Sequence, residues 1–169
     1  MRTRLLVMAV GLATWTGLGS TALAHGGHEH GGGERNSVRK SATLSFDLSG
    51  AQVPDGGDPT GRGDATLRLY SDKDLACLRA AWRDLAGEVT AIHVHRGAEG
   101  QTGPHQIEIL NEESLAGDAN RVELCVKVTG GHHGADGDGL QDVIDDPAGF
   151  YLSIHSTAFP TGAIRGQLN

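Results

Sequence analysis

From residue 41 onward the chain alternates apolar and polar positions in short runs. Leu44, Phe46 and Leu48 are interleaved with Thr43, Ser45 and Asp47, and Ala65, Leu67 and Leu69 with Thr66, Arg68 and Tyr70. Further along, Val122, Leu124, Val126 and Val128 alternate with Glu123, Cys125 and Lys127. Phe150, Leu152 and Ile154 alternate with Tyr151, Ser153 and His155. Successive side chains of a strand point to opposite faces, so each run predicts a strand with one buried and one polar side. Gly-, Pro-, Asp- and Asn-rich stretches at 53–63, 96–105 and 129–139 supply the connections. The pattern therefore predicts an all-β fold, an antiparallel sandwich or barrel spanning 41–169.

One segment carries two patterns. In DLACLRAAWRDLAG, at 74–87, Leu75, Leu78, Trp82 and Leu85 fall at helical spacing, and the local propensities favour helix. The surrounding β pattern favours a strand with Leu78, Ala80 and Trp82 inward, and a strand is the expectation. A short helical turn is expected at Leu140–Asp145, ahead of Pro147.

The first 24 residues read as a secretory leader. Arg2 and Arg4 precede the apolar run Leu5–Leu12, and Ala22-Leu23-Ala24 forms a small-x-small cleavage site. No second apolar run of spanning length follows, so no transmembrane segment is expected in the mature chain, which would be periplasmic or extracellular. Net charge is −7, and removing a leader with two Arg and no acid takes it to −9, which argues against nucleic acid as a partner. Export also bears on Cys77 and Cys125, the only two cysteines. Oxidising compartments favour a disulfide between them, closing a loop of about 50 residues and contributing about 4 kcal/mol through chain entropy. The alternative is two buried free thiols.

Residues 25–40 follow the leader and open with His25, His28 and His30 among five glycines. Such a stretch cannot pack a core, and a disordered tail is expected. Its imidazoles can chelate a metal ion weakly, or they are incidental to a soluble spacer. A second polar cluster, GGHHGADGDGLQD at 130–142, offers His132, His133, Asp136 and Asp138. It lacks the glycine and terminal Glu of a calcium-binding loop, so a solvated loop is the expectation.

The segment VTAIHVHRG, at 89–97, holds the sharpest chemistry. Alternation puts Thr90, Ile92 and Val94 on one face and Val89, Ala91, His93 and His95 on the other, with the two imidazoles about 6.6 Å apart. His155 has the same phase on its own run. If those two strands are neighbours, three His converge, and His105, just past the loop, is a candidate fourth. An all-nitrogen set suits copper first and zinc next. The plainer reading is an outward polar face whose His serve only as hydrogen-bonding groups. No GxSxG, Walker or HExxH signature is present.

Three stretches resemble the CHRD domain, the module repeated in chordin and found singly in many exported bacterial proteins. They are ATLSFDLSGAQVP at 42–54, TAIHVHRGAEGQTGP at 90–104 and DPAGFYLSIHSTAFPTGAIRGQL at 146–168. Gly97, Gly100, Gly103, Pro104, Pro147, Gly149, Gly162 and Arg165 resemble the family's turn and closing-strand positions. The 51–55 stretch lacks the acidic residue and second proline usual in the family, and His105 stands where a hydrophobic residue is common. The resemblance implies an immunoglobulin-like barrel with limited similarity to copper/zinc superoxide dismutase. In that comparison His93-Val94-His95 resembles a copper-binding pair, Gly103-Pro104-His105 the segment with the bridging His, and His155 a later copper ligand. Arg165 is comparable to a substrate-guiding Arg, although IRGQL is an ordinary CHRD ending, and the enzyme's zinc loop is missing.

The function expected is an exported CHRD binding or scaffold module. It would carry a copper or zinc site and recognise a protein or another extracellular ligand. The alternative, from a different class, is a copper-dependent redox enzyme resembling superoxide dismutase.

Overall fold

The computed structural model describes residues 39–111, 115, 119–128 and 139–169. The expected leader, His25, His28 and His30 of the tail, and His132, His133, Asp136 and Asp138 lie outside the described residues. Eight strands form one antiparallel sheet: β1 Ser41–Ser49, β2 Arg62–Tyr70, β3 Leu75–Arg83, β4 Val89–Arg96, β5 His105–Leu110, β6 Arg121–Lys127, β7 Phe150–Ser156 and β8 Ile164–Gln167. Their order across the sheet is β5-β4-β7-β8-β1-β2-β3-β6. The sheet curls until its two edge strands, β5 and β6, approach each other, so it is nearly closed into a barrel. Among the described residues, no helix is long and apolar enough to cross a membrane.

The inward positions are those the alternation marks. Leu48, Leu67, Leu69, Leu78, Leu152 and Ile154 are all fully buried in a single core. Each such side chain contributes about 1.5–3 kcal/mol on burial. The ambiguous segment is a strand, with Ala76, Leu78, Ala80 and Trp82 buried in β3. Its neighbours decide this: β2 pairs with it along nine residues, and β6 pairs on its other side, so ladder hydrogen bonds and core burial outweigh helix propensity. The expected helical turn is α1, Gly139–Asp145, whose Leu140, Val143 and Ile144 join the core.

Cys77 and Cys125 are directly opposite each other on β3 and β6 and form a disulfide. It lies on the outward face, with Cys125 exposed, and ties the edge strand β6 to the sheet. On β6 itself Val122, Leu124 and Val126 are only half-buried.

Two details depart from strict alternation. Val89 joins the core instead of sharing a face with His93 and His95, because the β4–β7 register shifts between Val89 and Ala91. An irregularity of this kind inserts a residue and reverses the face of what precedes it. The β4–β5 pair carries two further shifts, and β5 accordingly buries Gln106, Ile107, Ile109 and Leu110 in no simple period.

Candidate metal centre

Strand β7 lies between β4 and β8 and is buried on both faces. Its inward side is the apolar row of Phe150, Leu152 and Ile154. Its outward side carries Tyr151, Ser153 and His155, and this side is covered by loops instead of solvent. Register places Ser153 opposite His93, Tyr151 opposite His95, and His155 opposite Ala91. His155 therefore sits diagonally across from His93, and three imidazoles gather on the outer face of two adjacent strands.

The cluster is tight. Ligand atoms of His93, His95 and His155 lie within 4.8 Å of one another. Ring centroids are 5.7 Å apart for His93 and His95, 5.2 Å for His93 and His155, and 5.9 Å for His95 and His155. The residues are only 5%, 7% and 9% exposed, so water satisfies little of their polarity.

Their hydrogen bonds set the tautomers of two rings. His95 Nδ1 donates to the Gly103 carbonyl at 3.0 Å, and His155 Nδ1 donates to the Pro160 carbonyl at 3.0 Å. A carbonyl oxygen can only accept, so in each ring Nδ1 bears the hydrogen and Nε2 keeps its lone pair. Both of those Nε2 atoms, and both ring nitrogens of His93, are buried without a hydrogen-bond partner. Leaving such groups unpaired is costly, about 1–3 kcal/mol each. Orphaned nitrogens on three rings whose ligand atoms meet within 4.8 Å thus need a reason. Glycine at 103 is part of the arrangement: a Cβ there would lie 1.9 Å from the Arg96 carbonyl oxygen, so only glycine lets the loop bring its carbonyl to His95.

Electrostatics keep the lone pairs available. Burial, reinforced by the charges that His105, His155 and His95 would carry, lowers the His93 pKa to about 3, opposed by the nearby Asn111 side chain, whose approach falls outside hydrogen-bond geometry. Burial lowers His95 to about 4; the Gly103 carbonyl opposes this, while His105, His155 and the Arg165 cation add to it. His155 is lowered chiefly by burial, with the Pro160 carbonyl opposing. Neutral imidazole is the form that binds metal.

His105 stands at the rim. Its ring centroid is 4.0 Å from that of His93 and 4.6 Å from that of His95, but it is half-exposed and outside the three-residue ligand set. Its Nδ1 is 4.0 Å from a Glu108 carboxylate oxygen.

Of the layer behind the ligands, the sequence singled out Arg165 but not Tyr151. Tyr151 stacks on His95 at 4.9 Å with only 5° between the ring planes, and the Arg165 guanidinium lies over the Tyr151 ring, 3.4 Å from its centroid. Arg165 is 2% exposed and donates to the carbonyls of Gln101 and Ala98 and to Gln167 Oε1. It thereby anchors the loop that carries Gly103. The outward phase of Tyr151, shared with His155, was the available signal. A cavity of about 40 Å³ adjoins the cluster, lined in part by His95, Tyr151, Ser153 and Arg165.

Residues 44–168 match the CHRD domain along the same span as the barrel. The chain belongs to the CHRD family. Neither curated proteins nor solved structures gave a match.

Proposed function

We propose that this CHRD domain is an exported module that binds one first-row transition-metal ion through His93, His95 and His155. The observation that carries this reading is the convergence of buried, unpartnered ring nitrogens held by backbone carbonyls behind them. Ligand His commonly donate their second nitrogen to such an outer partner, which fixes ring orientation. Copper suits a set of imidazoles best among the common divalent ions, with zinc next. The ion would lend the module either rigidity or a contact point for a protein or other extracellular ligand.

A second reading, redox catalysis at copper, draws on the open coordination position that three protein ligands leave. The cavity of about 40 Å³ beside His95 has room for a water-sized molecule.

The test compares the full chain with its His93→Ala/His95→Ala variant by copper and zinc titration. The wild type should bind one more ion tightly than the variant does, with circular dichroism unchanged between them. Equal stoichiometry in the two proteins would overturn the site. Superoxide consumption by the copper-loaded wild type, lost in the variant, would favour the catalytic reading over the module.

A further inference from the structure

We propose that the His93–His95–His155 site selects monovalent copper over copper(II) and zinc(II). This deepens the metal-binding reading above and rests on it. The argument is one of charge and coordination number.

All three ligands are neutral imidazoles. The groups behind two of them are neutral backbone carbonyls, where a carboxylate would have offset a divalent ion. The buried charge behind the ligands is positive: Arg165 lies against Tyr151, and Tyr151 lies against His95. Arg165 donates to two carbonyl oxygens and an amide oxygen, and Glu99 acts on it only at a distance. Two carboxylates stand near the cluster: Glu108 faces His105 at the rim and is partly exposed, and the exposed Asp55 lines the small cavity beside His95, so solvent screens both.

A charge placed in such surroundings pays a desolvation penalty that grows with the square of the charge. A divalent ion therefore loses far more than a monovalent one when the ligands return no negative charge. Coordination points the same way. Copper(II) prefers a tetragonal set of nitrogen and oxygen donors. Two adjacent strands supply three nitrogens on one face, and three neutral donors suit copper(I).

The experiment measures three affinities on the full chain, each as the difference between wild type and His93→Ala/His95→Ala, which cancels binding by other His. Copper(I) is titrated without oxygen against bathocuproine disulfonate, and copper(II) and zinc(II) against chromophoric chelators. Copper(I) should be held at least about 100-fold more tightly than copper(II), which raises the reduction potential of bound copper by about 120 mV over the free couple. Ser153→Asp, which sets a carboxylate opposite His93, should shrink that ratio at least about tenfold, and Arg165→Gln should shift it in the same direction. If copper(II) or zinc(II) is held as tightly as copper(I), this inference fails while the metal site stands. If none of the three ions distinguishes wild type from the double variant, the site itself fails. Should either charge variant misfold, the wild-type ratio still decides.

Discussion

The two halves of the sheet obey the same alternation but treat their outward faces differently. In β1, β2, β3 and β6 the outward side is wet: Ser45 and Thr66 share an exposed hydrogen bond, and the disulfide lies among exposed neighbours. In β4, β7 and β8 the outward side is covered by the loops at 97–104 and 157–163, which hydrogen-bond directly to His95 and His155. Polar residues on the wet half exchange one solvated partner for another. On the covered half they must find partners in the protein, and both ring nitrogens of His93 and the Nε2 atoms of His95 and His155 do not. Burial under loops, not residue type, separates a solvent face from a site.

The largest test of the comparison is on the wet half. β6 has half-buried apolar positions and pairs with one strand only among the described residues, so it depends on its covalent tie. The bridge spans 48 residues, and the Cys77→Ala/Cys125→Ala variant should lose about 4 kcal/mol on the chain-entropy account. Urea unfolding of the two proteins measures this. Metal affinity should not change, because the bridge is on the other half of the sheet. A loss under about 1 kcal/mol would mean that packing alone holds β6.

An intermediate effect is expected on the covered half. His93→Leu removes two orphaned nitrogens from a 5% exposed position and should stabilise the metal-free protein by about 1–2 kcal/mol. Sites kept for binding commonly carry such a cost. The same substitution should flatten the acid limb of the stability curve. Folded His93 and His95 have pKa values near 3 and 4, below the ordinary 6.5. Between those values the unfolded chain binds more protons than the native one. Their stability contribution is therefore complete above about pH 6.5 and is lost as pH falls toward 3. Denaturation of metal-free protein at several pH values should show a steeper decline for wild type than for His93→Leu. Parallel curves would mean that these rings are not held neutral by burial.

Much of this was legible in the residues themselves. Alternation was sufficient for β1, β2, β6 and β7, where each run is regular, and it put His155 in phase with the HxH pair. It was insufficient for β5, where two register shifts break the period, and for Val89, where a third reverses the face. The cover over the site was not legible at all. It draws on long-range ties such as Asp58, whose amide donates to the Ala163 carbonyl at the end of one covering loop and whose buried carboxylate accepts from Thr60, Gly61 and Ala86. Burial alone would raise the pKa of that carboxyl, but those hydrogen bonds together lower it. No local pattern encodes a partner 28 residues away.

The smallest effects set one serine of each half against the other. Ser45 is on the wet face, and its hydroxyl bonds only to Thr66 at 3.0 Å in an exposed position. Water replaces that bond at once, so Ser45→Ala should change stability by less than about 0.5 kcal/mol. Ser156, at the end of β7, is fully buried. Its hydroxyl donates to the Ala86 carbonyl at 2.8 Å and accepts from the Phe159 amide at 3.2 Å. Ser156→Ala leaves the Ala86 oxygen short of that donor and should cost about 1–2 kcal/mol. The bond to Phe159 also shapes the turn leading to Pro160, whose carbonyl holds His155. Metal affinity should therefore weaken in Ser156→Ala and stay constant in Ser45→Ala. Equal stability losses in the two variants would show that the loops covering β7 do not exclude water, and the contrast between the halves would fail with them.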